Sequence, residues 1–489
     1  MAREVEVEDQ LGLTDYEAYP HLATATLDLR TEAAELVPHL KGRTIWMVNS
    51  TAQGGGVAEM LPKVVSLLRE VGADVRWLVI EAHDEEFFTL TKRIHNLIHG
   101  VGEPLEDSSW REVYEKVSRE NAASIAPLLS PGDILLIHDP QPLGTGAMLL
   151  AEHDLIGIWR CHIGLDQRNA ATDSAWNFLK PWLAPFRASV FSAPEYIPDF
   201  LAHISSIIHP AIDPLSHKNR DLTPHKLQGI LCNASLAIEH EPVLTPPYEH
   251  LAKRLGPEGE WLLANEPEDI GLLSRPIVTQ ISRWDRLKGF VPLLEAFVKL
   301  KMKKDGNGNP LHQRRREISR LVLAGPDPAS VADDPEGLDV VRELADRYMK
   351  LDPRLQKDIA LISLPMESRR ENALMVNALQ LCASVVVQNS IQEGFGLTVT
   401  EAMWKRRVVV GSRACGIRQQ IREGIDGRLV ESPTDTDHIA DVLDSVLADP
   451  YHRDYLASHA ERRVHEEFLV FSQLRKWLRL LVQVVHRAR

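Results

Sequence analysis

The sequence predicts an α/β protein built from two doubly wound, Rossmann-like domains facing each other across a cleft. Short β-branched apolar runs alternate with amphipathic stretches through both halves of the chain, which reads as buried parallel strands joined by crossover helices. Glycine-rich or polar clusters follow the ends of those runs, where open α/β sheets bind ligands. The length of 489 residues accommodates two or three domains at about 100 to 200 residues each. With 44% hydrophobic and 25% charged residues the composition is that of an ordinary soluble globular protein. A formal net charge of −14 argues against nucleic acid or an anionic membrane as a partner, because both need a basic footprint. Cys161, Cys232, Cys382 and Cys415 are far apart and form no C-x-x-C pair. With an acidic, polar start and no apolar run of about 18 residues, this fits a cytoplasmic protein outside any membrane.

In the first half, residues up to about Leu40 are helix-prone. Thr44–Val48 reads as the first strand, followed by Asn49-Ser-Thr-Ala-Gln-Gly-Gly-Gly56 and a periodic helix to Arg69. Gly54, Gly55 and Gly56, between a strand and a helix, make a natural phosphate or sugar loop. Their spacing is not G-x-G-x-x-G, so a dinucleotide is a poor match, and a ligand-free turn is the competing reading. Val75–Ile80, Asp133–His138 and the run Leu155–His162 are further strands. Their ends deliver His138, Asp139, Gln141 and His162. A lone histidine there is more often structural than catalytic. Trp176 and Trp182 read as core or pocket wall. Pro210 and Pro214 around Ile212-Asp213 disfavour helix and mark a linker, dividing the chain into residues 1–213 and 214–469. Residues 220–272 read as mostly helical, polar and proline-containing.

The second half restarts at Pro276–Ser282. Arg283 and Lys288 follow on a strand-to-helix loop, where two cations would neutralise a diphosphate leaving group. With those cations available, Asp333 and Asp334 are read as exposed rather than metal-binding, and no divalent metal is required. Leu321–Gly325, Ile359–Ser363, Ala383–Gln388 and Val408–Val410 supply later strands. Ala383–Gln388 leads into Glu393-Gly-Phe-Gly-Leu-Thr-Val-Thr-Glu401. Its glycines let the backbone approach a ligand closely, and the N–H groups of Leu397 and Thr398 at a helix start suit phosphate. Glu393 on the loop and Glu401 in the helix would touch different parts of one long ligand. Solvated helix-start charges are the alternative. The last helix, about 470–489, carries Phe471, Leu474, Trp477, Leu480 and Val484 as a stripe suited to a domain face. A homodimer interface is the competing account of that stripe.

The stretch Glu393–Lys405 resembles the E-x7-E motif of retaining glycosyltransferases with the GT-B fold. Together with Gly54-Gly-Gly-Val-Ala-Glu59, Trp159-Arg-Cys-His162 and Ser282-Arg-Trp-Asp-x-x-Lys-Gly289, it resembles the trehalose synthase branch of that family. The resemblance implies a nucleoside diphosphate glucose as donor, glucose as acceptor and α,α-trehalose as product, formed reversibly and with no tightly bound cofactor. It implies that Arg283 and Lys288 hold the diphosphate with the backbone at Leu397 and Thr398. Gly394, Phe395 and Gly396 form the donor loop, Glu393 takes hydroxyls of the transferred sugar and Glu401 those of the ribose. His162 contacts the transferred sugar, while Gly54–Gly56, Asp139 and Gln141 shape the acceptor pocket. The family carries an aspartate directly after His-Ile. Here Gly164 stands in that place, and either Asp166 replaces the aspartate from a shifted backbone or the acceptor contact differs. No carboxylate is placed as a nucleophile, so the expected course is same-face attack with a donor phosphate oxygen taking the acceptor's proton. The resemblance also implies that the last helix packs back on the first domain. A trehalose phosphorylase, and a sugar or nucleotide sensor without turnover, are the alternatives. Residues 220–272 are longer than the family norm and are read against it as an insertion.

Overall fold

In the computed structural model the chain is described except at residues 1, 8–9, 53–55, 83, 106–108, 239–244, 304–308, 329–334 and 489. Gly54, Gly55 and the pair Asp333-Asp334 therefore lie outside the described residues. The chain forms two units, Met1–Ala211 with Phe468–Arg489, and Ile212–Glu467.

The first unit is built on β1 (Arg3–Glu4), β2 (Ile45–Asn49), β3 (Val75–Val79), β4 (Ile134–His138), β5 (Ile156–Arg160), β6 (Ala188–Phe191) and β7 (Ser205–Ile207). They lie in the order β1-β3-β2-β4-β5-β6-β7, parallel apart from β1, which pairs antiparallel with β3. Every residue of β2, β4, β5 and β6 is buried, as expected for a sheet covered by helices on both faces. The strand order reverses between β2 and β4, so the crevice for a ligand opens at the carboxyl ends of those two strands. Asn49 shapes one side of it. Its buried amide accepts from Trp77 Nε1 at 2.8 Å and donates to the Thr51 carbonyl at 2.6 Å.

The terminal helix Val470–Ala488 belongs to this unit and packs on the helix Pro20–Leu36. Phe471 meets Tyr16 edge-on with ring centroids 5.0 Å apart, and Arg475 binds Glu32 at 2.6 Å and Asp28 at 3.1 Å. Phe471, Leu474, Trp477, Leu480 and Val484 are all buried. The stripe is thus buried within the chain's own first unit, which replaces a heptad partner as its cover.

The second unit contains β8 (Lys253–Leu255), β9 (Trp261–Leu263), β10 (Ile277–Ile281), β11 (Arg320–Pro326), β12 (Ile359–Leu364), β13 (Val385–Gln388), β14 (Val408–Ser412) and β15 (Arg428–Val430). Their order is β15-β14-β13-β10-β11-β12-β8-β9. From β10 to β15 the strands are parallel, and the order reverses between β10 and β13, the second ligand crevice. The segment 220–272 corrects a sequence expectation. It is not mostly helical: its described residues hold one helix, Pro224–Asn233, and an antiparallel hairpin, β8–β9, that extends the sheet beyond β12. Leu231, Leu236, Ala264 and Ile270 are 0% exposed and share a core with Ile277, Val322, Ile362 and Met375. Three-residue strands carry too little alternation to be read from pattern. No helix among the described residues is long and apolar enough to cross a membrane.

Candidate active site

The second crevice is assembled from the loops after β10 and β13. Asp285 caps a single 3₁₀ turn, Arg286–Lys288, by accepting from Leu287 N at 2.8 Å. Gly289 then takes φ +64°, and a Cβ there would lie 2.2 Å from the Asn389 carbonyl oxygen. Only glycine lets these two loops touch. Asn389 ties them together by donating to the Gly289 carbonyl at 3.1 Å, while its own N–H meets Gln280 Oε1 at 3.0 Å. The consequence is that Lys288 Nζ reaches Glu393 Oε2 at 2.7 Å, both side chains being mostly buried. The same oxygen accepts from Ser390 Oγ at 2.9 Å and Gln388 Nε2 at 3.2 Å. Three donors on one carboxylate oxygen fix its position before any ligand arrives. Arg283 is exposed on the same loop, with no ion pair to a described residue.

The glycine turn beyond Glu393 is clamped from below. Gly396 adopts φ +80° and starts the helix Leu397–Trp404, leaving the first N–H groups without intrahelical acceptors. Gln420 Nε2 donates to the carbonyls of Phe395, Gly396 and Gly416, and Gln420 Oε1 accepts from Thr400. A Cβ on Gly416 would lie 2.3 Å from Phe395 Cα, so the helix Cys415–Arg418 touches the turn directly. Phe395 itself is buried and serves the turn through its backbone. Glu401, 6% exposed, sits 3.6 Å from Lys218 Nζ and 3.5 Å from Gln380 Nε2. Beside it, burial pushes the Lys405 ammonium down to about 7, and its Nζ donates to the Glu401 carbonyl at 3.2 Å.

In the first unit, β4 and β5 end in a polar cluster in which His138 and Arg160 are buried and Asp139 and His162 half-buried. Asp139 has φ +63°, which turns the chain so that its carboxylate accepts from His162 N at 2.8 Å and its carbonyl from Trp159 Nε1 at 3.1 Å. His138 Nδ1 lies 3.0 Å from His162 Nε2. Arg160, 1% exposed, lies among them. Burial, reinforced by that cation, lowers His138 to about 3 and His162 well below its usual value. Burial raises Asp139 to about 6 against the opposing pull of the His162 N–H and Arg160. Gln141 Oε1 is buried without a hydrogen-bond partner among the described residues. Asp166 is half-buried on the loop after His162. A Cβ on Gly164 would lie 2.2 Å from Tyr196 Cγ, so Tyr196 fills the space a side chain would need directly after Ile163.

The structure therefore brings Lys288, Glu393 and the glycine turn Gly394–Gly396 together, with Arg283, Leu397 and Thr398 around them, and gathers His162, Asp139 and Gln141 in the other unit. Glu393 and Glu401 meet different partners. Of the first glycine loop only Gly56 is described, as the exposed first residue of the helix Gly56–Glu70. Sequence reading missed Ser390, Gln388, Asn389, Gln420 and Arg160. Polar residues at the ends of apolar strands were the available signal for Gln388 and Arg160. Nothing in the spacing marks Gln420, which acts across 24 residues.

Two doubly wound parallel sheets, each with polar groups gathered at strand ends beside the reversal of strand order, are the architecture of a GT-B glycosyltransferase. An α,α-trehalose-phosphate synthase (UDP-forming) from Burkholderia xenovorans, crystallised in complex with glucose-6-phosphate, superposes on 90% of this chain and 100% of its own at TM-score 0.61 and 17% identity. Residues 265–463 match the family "Glycosyl transferases group 1" and residues 47–198 match "Trehalose synthase, N-terminal domain". The trehalose synthase of Pyrococcus horikoshii is 33% identical over 91% of both chains. The trehalose phosphorylase of Pleurotus pulmonarius is 24% identical over 90% of this chain and 57% of its own. This chain belongs to the trehalose synthase family and is a glycosyltransferase.

Proposed function

We propose that the protein transfers glucose, with retention and reversibly, from a nucleoside diphosphate glucose to free glucose, giving α,α-trehalose. The observation that carries the reading is Glu393, held by Lys288, Gln388 and Ser390 on the loops where the second sheet reverses its strand order. Held there, its carboxylate is an acceptor suited to sugar hydroxyls. Lys288 and Arg283, with the N–H groups at Leu397 and Thr398, bind the diphosphate and stabilise charge on it as its bond to the sugar breaks. Those cations do the electrostatic work of a divalent metal, so none is needed. Glu401 takes the ribose. On the acceptor side Gln141, Asp139, Asp166 and the Gly54–Gly56 loop contact glucose, and His162 contacts the transferred sugar. Glu393, tied into this network, is not positioned as a nucleophile, which favours same-face attack with a donor phosphate oxygen taking the proton. The cysteine spacing supports a cytosolic setting.

The test is a product assay with glucose and, separately, UDP-, ADP- and GDP-glucose. Trehalose plus nucleoside diphosphate is expected, with loss of both in folded Lys288→Ala and Glu393→Ala variants. Glucose 1-phosphate from trehalose and inorganic phosphate, without use of any nucleotide donor, would select the phosphorylase that the Pleurotus relative exemplifies. Nucleotide binding with no turnover would replace catalysis with sensing.

A further inference from the structure

His138, Arg160 and His162 share one side of the first sheet for a reason visible in the chain. His138 and Arg160 are register partners on parallel β4 and β5, and His162 follows Arg160 by two residues, so the pleat returns it to the same side. The two imidazole rings lie 14° from parallel with centroids 5.3 Å apart, and His138 Nδ1 is 3.0 Å from His162 Nε2. A hydrogen bond between two neutral imidazoles needs one N–H and one lone pair. The pair therefore carries a single bridging proton, and the choice of donor fixes the other nitrogen of each ring.

The surroundings choose the donor. Arg160 Nη2 donates to Ser192 Oγ at 3.1 Å, while its Nε and Nη1 are buried with no partner among the described residues. His138 Nε2 is also buried and without a partner among the described residues. An N–H on that nitrogen would be a second kind of orphan donor beside a cation, whereas a lone pair there is favoured by the same cation. His138 therefore donates from Nδ1, and His162 carries its proton on Nδ1. The remaining groups agree. Asp139 is engaged by the His162 backbone N–H, and Cys161, whose thiol burial pushes up and which donates to the Ile163 carbonyl, stays uncharged.

We propose that His138 and Arg160 are positioning residues for glycosyl transfer, locking His162 as the neutral Nδ1–H tautomer so that it meets a sugar hydroxyl as a donor only. The inference rests on the function proposed above. A neutral donor binds the hydroxyl without placing positive charge beside an anomeric carbon that itself becomes positive as the donor bond breaks.

The experiment is imidazole ¹⁵N NMR of histidine-labelled protein, with His162→Gln identifying the His162 signals, run beside steady-state kinetics. Expected for the native protein is a His162 ring protonated on Nδ1 and bare on Nε2 from about pH 5.5 to 8. His138→Asn presents an amide N–H where Nδ1 was, so it keeps the tautomer and holds kcat within about threefold. His138→Phe removes the bond. His162 then reverts to a mainly Nε2–H ring, and kcat falls about 100-fold with donor KM changed less than about twofold. An Nε2–H ring at His162 in the native protein overturns the proposal, as do equal kinetic losses in folded Asn and Phe variants. Should the Phe variant fail to fold, the native spectrum and the Asn variant decide. Should no donor yield trehalose, the proposed function fails, and the spectrum alone judges the tautomer, Nδ1–H supporting it and Nε2–H overturning it.

Discussion

Glu393 and His162 each follow the fourth parallel strand of their sheet in chain order, yet the two positions are organised in opposite ways. Around Glu393 charge is paired with charge. Lys288, Ser390 and Gln388 all serve one oxygen, and the loops remain open enough for Arg283 to be exposed. Around His162 desolvation disfavours charge on both imidazoles, and buried atoms of the His138, Gln141 and Arg160 side chains have no partner among the described residues. The first arrangement suits a charged ligand, whose diphosphate exchanges one set of ionic contacts for another at little reorganisation. The second suits an uncharged, hydroxyl-rich ligand that supplies donors and acceptors to groups already desolvated. One fold, used twice, thus presents an ionic pole and a neutral pole.

The contrast is broken most severely at the ionic pole. Lys288→Ala is expected to lower kcat/KM by about 10³-fold, read as nucleoside diphosphate release. Adding Glu393→Gln to it should lower the rate far less than the product of the two single effects, because the pair acts as a unit. Next, Gly289→Ala should lose about 3 kcal/mol in a urea titration, since positive φ and the Asn389 carbonyl both oppose a side chain. Gly424→Ala, also at positive φ (+74°) but with nothing within 4 Å, should lose only about 1 kcal/mol. Equal losses would show that the contact between the β10 and β13 loops is unimportant. Gln420→Ala should raise donor KM about tenfold by loosening the glycine turn, with a smaller change in kcat.

The neutral pole is sharpened by pH. His138 titrates at 6.5 when unfolded and about 3 when folded, so between those values the unfolded chain binds a proton that the folded one does not. Stability therefore falls as pH drops below 6.5, by up to about 1.4 kcal/mol per pH unit for each such imidazole. Asp139 works in the other direction, its folded value of about 6 lying above the ordinary 3.8, and offsets one imidazole between those limits. Urea midpoints measured from pH 7 to 5 should decline, and His138→Asn should flatten the decline. The smallest effect lies far from either pole. Arg479, 2.8 Å from Glu32 and mostly exposed, should lose less than about 1 kcal/mol on replacement by alanine.

The central parallel strands and the two doubly wound sheets were legible in the sequence, as was the placing of Lys288 and Glu393 on loops after strands. Runs such as Ile134–His138 and Val385–Gln388 are apolar because both faces of a parallel sheet are covered, and the glycines at 289, 394 and 396 mark where backbone must turn or touch. Lys288 was legible as a cation on a strand-to-helix loop, and Glu393 through the glycine turn that follows it and the resemblance of its stretch to the E-x7-E motif. The hairpin β8–β9 was not, since three-residue strands carry no measurable period and are fixed only by pairing with β12. Gln420 and Asn389 were equally silent, for an amide reveals its role only when folding brings distant carbonyls within 3 Å or so of it. What tertiary structure alone decided is the state of the buried groups. That two histidines 24 residues apart share one hydrogen bond, that Arg160 lies among them, and that the terminal apolar stripe is spent on the chain's own helix all follow from burial and register. Those are properties of the folded chain, because desolvation and pairing do not exist until distant segments meet.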